Sequence, residues 1–238
     1  MTTLPRSVKT AEGLRARLDE VRGRIAEAAR RAGRSPDEVT LVAVTKTVPA
    51  DAVREAVDSG LSDLGENRVQ EAESKIAVLG RTCARWHLIG HLQRNKAGKA
   101  VGLFDRIHGV DSVELADALS KRAVASELVI PITLEVNVSG EASKFGVTPD
   151  DAPAVARAIA TLPGLAFDGL MTVGAPVARP EDARPGFARL RELRDALSAG
   201  LGRALPQLSM GMSGDYEVAV EEGSTMVRVG TALFGARR

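Results

Sequence analysis

Lys46 directly follows the apolar run Leu41-Val42-Ala43-Val44-Thr45. A lysine at the mouth of such a run is partly withdrawn from water, which disfavours its ammonium form and lowers its pKa. A neutral primary amine is what capture of a carbonyl as a Schiff base requires. The same position also suits a lysine that snorkels to solvent or pairs with Glu66. Near the other end of the chain stand two glycine-bearing segments, Gly211-Met212-Ser213-Gly214-Asp215 and Gly230-Thr231-Ala232-Leu233-Phe234-Gly235. Glycines let backbone N–H groups approach an anion closely, and Ser213 and Thr231 add hydroxyl groups. Ordinary turn chemistry, with Ser213 capping a helix that begins near Asp215, is the alternative.

Arg228 lies just before the second of these segments, in the apolar run Met226-Val227-Arg228-Val229. A buried arginine needs an acceptor or an anion. A pyridine ring nitrogen is one such acceptor; a carboxylate such as Glu217 or Glu221 is another.

The elements that must position these groups follow from hydrophobic periodicity. Leu14, Leu18, Val21, Ile25 and Ala28 make one stripe on a helix, predicted over 9–33, with Gly33 and Pro36 ending it. Beyond Pro36, short apolar runs at 40–44, 62–64, 86–89, 104–107, 132–136, 166–170, 208–210 and 226–229 read as strands. The run at 62–64 carries the weakest pattern. Between them lie helical windows at 50–59, 68–78, 95–101, 112–126, 149–161, 181–197 and 215–222. Strands alternating with helices imply parallel pairing through right-handed crossovers, and eight such units are the number at which a barrel closes. The chain is therefore expected to be α/β, a single-domain (β/α)8 barrel over 1–238 with an extra N-terminal helix packed on it. In that fold, functional groups sit at the C-terminal ends of the strands, and the loops after strands seven and eight form a phosphate cradle. The positions so selected are Lys46, Glu66, Asn67, His87, His91, His108, Asp111, Asn137, Met171, Ser213 and 228–231.

Bulk properties exclude several classes. Thirty-two Lys and Arg against 31 Asp and Glu leave a net charge of +1, no field for a phosphate backbone, so no nucleic-acid partner is expected. Cys83 is the only cysteine, so no internal disulfide forms, and a reducing, cytoplasmic setting is expected. No signal-peptide pattern and no membrane-spanning run is present. His87 and His91 fall on a strand and its loop and point apart, so no metal site is expected.

Several longer motifs carry a family resemblance. They are 41–46, Gly65-Glu66-Asn67-Arg68-Val69-Gln70-Glu71, Trp86-His87-Leu88-Ile89-Gly90, Leu92-Gln93-Arg94-Asn95-Lys96, Ser143-Lys144-Phe145-Gly146, Gly169-Leu170-Met171, 208–213 and Val227-Arg228-Val229-Gly230-Thr231. The chain from Lys46 to Gly235 resembles the pyridoxal phosphate homeostasis proteins, also called proline synthase co-transcribed homologues. The resemblance implies a fold type III barrel like the N-terminal domain of alanine racemase, with pyridoxal 5'-phosphate as a Schiff base on Lys46. It implies phosphate contacts from Ser213, Gly230 and Thr231 and a ring-nitrogen contact from Arg228. Asn67, His87 and Met212 match residues that line the cofactor, and Lys144 matches a second lysine that assists its transfer. The sequence departs at Gly90-His91, where some members carry proline after the glycine.

A binder in vitamin B6 homeostasis, passing its cofactor to apo-enzymes, is thus expected rather than an enzyme. Two enzymes share the same lysine. An amino-acid racemase needs a second acid/base group, supplied in alanine racemases by a tyrosine of a further domain. This chain has one tyrosine, Tyr216, and ends at Arg238 without room for that domain. A Schiff-base aldolase needs a proton relay beside the lysine, for which Glu66 is the candidate, and leaves Arg228 without a task. Lack of the racemase dimer contact favours a monomer.

Overall fold

A computed structural model describes residues 11–141, 144–174 and 177–235. Eight strands run in chain order: β1 (Thr40–Val44), β2 (Asp63–Glu66), β3 (Arg85–Leu88), β4 (Arg106–Val110), β5 (Ile130–Glu135), β6 (Leu165–Met171), β7 (Gln207–Met212) and β8 (Met226–Val229). Each pairs in parallel with its sequence neighbours, and β8 closes on β1, so the sheet is a complete barrel. Closure removes both edge strands, and each strand is buried on two faces, which is why most residues of the runs are apolar.

Helices α2 (Ala50–Asp58), α3 (Val69–Leu79), α4 (Ala97–Leu103), α5 (Val113–Ala125), α6 (Ala152–Ile159), α7 (Arg184–Leu201), α8 (Tyr216–Glu221) and the short α9 (Thr231–Phe234) form the outer layer. They are preceded by α1 (Ala11–Arg31), whose buried residues Leu14, Leu18, Val21, Ile25 and Ala28 are the stripe predicted from spacing. This helix packs against α8 and α9. Residues 9 and 10 of the predicted helix lie outside the described residues. Gly33 ends the turn that follows at φ +68°, and the Arg34 N–H closes it onto the Ala29 carbonyl.

Two differences from the sequence expectation have physical causes. Strand β2 extends from Asp63 to Glu66 because both of its end charges are paired. Asp63 holds Arg85 and His87, and Glu66 holds Lys75 and Thr45. Charged ends hide a strand from a reading based on apolar runs. Strand β4 runs Arg106–Val110, later than 104–107, because Phe104 caps α4 instead.

Most buried apolar side chains form one layer between sheet and helices. A separate small cluster of Val42, Ile89 and Met226, with Val44 against it, occupies the lumen. The rest of the lumen is polar: His87, His108, Ser209, Glu135 and Arg228 are all buried.

Candidate active cavity at the C-terminal mouth

Lys46 stands two residues past the end of β1. The exit from that strand is tied down on both sides. The Thr45 N–H donates to the Gly65 carbonyl at 3.0 Å, and its hydroxyl donates to Glu66 Oε1 at 2.6 Å. Lys75 Nζ, reaching up from α3, donates to the Thr45 carbonyl and to Glu66 Oε1, both at 2.6 Å. Glu66 Oε1 is thereby committed to Lys75 and Thr45, while Oε2 is buried with no hydrogen-bond partner among the described residues. Thr47 then takes φ +64°, a left-handed conformation that a β-branched residue adopts at a cost on the order of 1–3 kcal/mol. Its N–H is held by Glu71 Oε1. The strain persists because Thr45, Val48, Glu66, Glu71 and Lys75 over-determine the turn, and the turn fixes where Lys46 leaves the backbone.

Lys46 lines a cavity of about 300 Å³ at the C-terminal end of the barrel. Asn67, Met212, Ser213, Arg228, Gly230 and Thr231 line it too, so the structure brings together seven of the eight residues expected around a cofactor. Ile89, Val173, Val44 and Gly214 complete the wall. Ile89 and Val173 were not singled out in the sequence, where an isolated aliphatic residue at a strand end carries no distinguishing signal.

At the far wall, Ser213 Oγ accepts from the N–H groups of Gly230, at 3.1 Å, and Ala232, at 3.3 Å. Two backbone donors of the β8–α9 turn thus already converge on one oxygen, the arrangement that receives an anion. The turn before it needs Gly211: its φ is +92°, and a Cβ there would stand 2.5 Å from that of Ala219. Asp215 accepts from the Met212 N–H at 2.6 Å and fixes the Ser213 loop.

Arg228 is 3% exposed. One guanidinium nitrogen donates to the Ser209 carbonyl at 2.7 Å and to Ser209 Oγ at 2.6 Å, and the other donates to the Thr172 carbonyl at 2.7 Å. Burial pulls its pKa down to about 10, against the opposing pull of Glu135 and Asp215. The carboxylate partners weighed for it are engaged elsewhere. Glu217 pairs with Arg24, and Glu221 with Arg31 and Arg184, on the outer side of α8. Ser209 and Thr172 were the missed partners, and a hydroxyl inside the apolar run 208–210 was the available signal.

His87 is the correction. It does not line the cavity. Its ring turns into the lumen below, with Nε2 2.9 Å from Asp63 Oδ1 and Nδ1 2.9 Å from His108 Nε2. His87 precedes the last residue of β3, and strand alternation places Ile89 at the cavity and His87 one layer down. Lys144 also lies apart from the cavity lining, with Nζ 2.9 Å from Glu141 Oε1; Ser143 of its motif is outside the described residues. His91 stacks on Phe145, ring centroids 4.0 Å apart, with Nδ1 3.1 Å from Asp111 Oδ2.

Glu135, at the end of β5, is 5% exposed, and its Oε2 has no hydrogen-bond partner among the described residues. Burial, with the charge of Asp111 adding, pushes its carboxyl up to about 7. Among the described residues there is no His/Cys/Asp/Glu group arranged to hold a metal ion, and no helix long and apolar enough to cross a membrane.

Comparison with known proteins agrees with this geometry. Residues 16–238 match the family model described as alanine racemase, N-terminal domain. A pyridoxal phosphate homeostasis protein of Pseudomonas aeruginosa is 49% identical over 220 residues, 92% of this chain and 94% of that one. Its namesake in Aquifex aeolicus is 46% identical over 222 residues, 93% of this chain and 97% of that one. Among solved structures, PipY of Synechococcus elongatus with pyridoxal phosphate bound superposes with a TM-score of 0.83 at 37% identity, covering 93% of this chain and 100% of that one. An alanine racemase of Clostridium difficile shares the fold at 14% identity and a TM-score of 0.74, over 95% of this chain and 56% of that one. By sequence over nine-tenths of its length and by its closed parallel barrel, this chain belongs to the pyridoxal phosphate homeostasis protein family.

Proposed function

We propose that this chain binds pyridoxal 5'-phosphate on Lys46 and carries it to enzymes that lack it, without turning over an amino-acid substrate. The observation that carries this reading is the convergence of a primary amine, a backbone N–H nest and a buried guanidinium on one cavity. The same groups match the aldehyde, phosphate and ring nitrogen of the cofactor. When bound, pyridoxal phosphate supplies an aldehyde carbon that a primary amine captures reversibly. Lys46 supplies that amine. The Gly230 and Ala232 N–H groups, now meeting on Ser213 Oγ, supply donors to a phosphate, with the Ser213 and Thr231 hydroxyls beside them. Arg228 would offer a cation to the ring nitrogen, which would keep that nitrogen unprotonated and the ring a weak electron sink. Asn67 and Met212 would wall the ring, and Lys144, on the loop after β5 and outside the cavity lining, would be a second amine for transfer.

Neither second group weighed for the enzyme alternatives lines the cavity. Tyr216 does not line the cavity; its ring is buried on α8 with the Arg24 guanidinium 5.6 Å from its centroid, facing α1. Glu66, the relay a Schiff-base aldolase would use, has Oε1 held by Lys75 and Thr45 and is not among the residues lining the cavity. A monomeric carrier in the cytoplasm, consistent with one unbridged cysteine, completes the proposal.

The test loads the protein with pyridoxal phosphate, removes free cofactor, and mixes it with an apo-enzyme that requires it. Recovery of the recipient's activity, with no racemisation when amino acids are added alone, is expected. Sustained racemisation, or no recovery, contradicts the proposal.

A further inference from the structure

A single file of hydrogen bonds crosses the lumen beneath the cavity. Arg228 donates to Ser209 Oγ at 2.6 Å; Ser209 Oγ lies 2.7 Å from His108 Nδ1; His108 Nε2 lies 2.9 Å from His87 Nδ1; and His87 Nε2 lies 2.9 Å from Asp63 Oδ1. Four strands, β8, β7, β4 and β3, each contribute one link, and the file ends on β2.

Its direction follows from the acceptor at its end and from one hydrogen on each ring. Burial pushes Asp63 up, but hydrogen bonds from His87, Arg85 and Ser62 outweigh that and hold it well below the usual carboxylate range. An ionised carboxylate only accepts, so His87 Nε2 carries the hydrogen; with one hydrogen per ring, the His87 Nδ1 is bare. His108 Nε2 must then donate, leaving its Nδ1 bare to accept from the Ser209 hydroxyl. The Ser209 lone pairs are what remains for Arg228. Burial pushes His108 well below the usual imidazole range, with the Arg228 and Arg106 charges adding to the effect, so this ring is neutral.

We propose that His108 and His87 are positioning residues for the cofactor site, a one-way relay that uses the Asp63 anion to fix the Ser209 hydroxyl and, through it, the Arg228 guanidinium. The inference rests on the pyridoxal phosphate reading of the cavity. Without the relay, the Ser209 hydroxyl is free to rotate and present its hydrogen to the guanidinium, and Arg228 loses one of three acceptors. Neither histidine touches the cavity, and an apolar lumen would avoid the cost of burying two imidazoles. The far end opens on a second cavity of about 320 Å³ at the opposite end of the barrel, lined by Asp63, Arg85, His87 and Arg106.

Two measurements test it. In cofactor-free protein labelled with 15N-histidine, long-range 1H–15N spectra are expected to show both buried rings neutral, with hydrogen on Nε2. In cofactor-loaded protein, Ser209→Ala and His108→Leu are expected to shift the visible absorption maximum and weaken cofactor binding by about tenfold. His108→Gln, whose amide can accept and donate at once, is expected to restore both. Should His108→Leu fail to fold, Ser209→Ala breaks the same link with the loss of a single oxygen. Hydrogen on Nδ1 of either ring, or a loaded Ser209→Ala protein with wild-type spectrum and affinity, overturns the inference alone. Wild-type protein that binds no pyridoxal phosphate overturns the functional reading, and this inference with it.

Discussion

Replacing Glu135 by glutamine removes a pH-dependent penalty that the structure places at the mouth of the barrel. The carboxyl is buried, one oxygen lacks a partner, and Asp111 adds a like charge, so its pKa rises from 4.5 to about 7. In the unfolded chain the same group titrates near its ordinary value, so the folded state holds a proton that the unfolded state has lost. Stability from this group is fully present below about pH 4.5 and is lost as pH rises to about 7, beyond which it stays flat. A rise of that size corresponds to about 3 kcal/mol. Glutamine keeps the shape and cannot ionise. Urea unfolding of both proteins across this range is expected to give similar stabilities at about pH 4.5 and a variant more stable by about 3 kcal/mol at about pH 8. Asp63 and Asp215 titrate in both proteins, so the difference isolates Glu135. Parallel profiles, or a variant less stable at the alkaline end, would refute the reasoning and show that Glu135 is paired and charged when folded.

Lys75→Met strands the buried Glu66 carboxylate and frees the Thr45 carbonyl, and is expected to cost about 3–5 kcal/mol in chemical denaturation. The double variant Glu66→Met, Lys75→Met is expected to recover more than half of that loss. Ser213→Ala removes a hydroxyl donor from the phosphate cradle; pyridoxal phosphate affinity, read by titration of the visible band, is expected to fall about tenfold.

The parts of this site that the sequence displays are those set by one strand and its own loop. Lys46 after an apolar run, Arg228 within one, and the glycine-bearing segments after β7 and β8 each announce themselves locally, and the eight-fold alternation then places them at one mouth. The lumen is different, because it is assembled from the inward faces of many strands. His87 and Ile89 share the inward face of β3, so whether His87 belongs to the cavity or to the layer below depends on where β3 ends, which apolar spacing does not resolve. His108, Ser209 and Asp63 stand 101, 146 and 45 residues apart along the chain in pairs, and only barrel closure makes them neighbours of one another through His87. Strand β2 was hard to see for a related reason: its charged ends are satisfied by Arg85 and Lys75, residues far outside its own window.

The central claim, that Lys46 is the cofactor's anchor, is tested most directly by borohydride reduction of the loaded protein and mass mapping of its peptides. The account predicts a phosphopyridoxyl group on the peptide containing Lys46, and loss of the reducible visible band in Lys46→Ala. A reduced adduct on another lysine with Lys46 unmodified, or a Lys46→Ala protein that keeps the band, would contradict it.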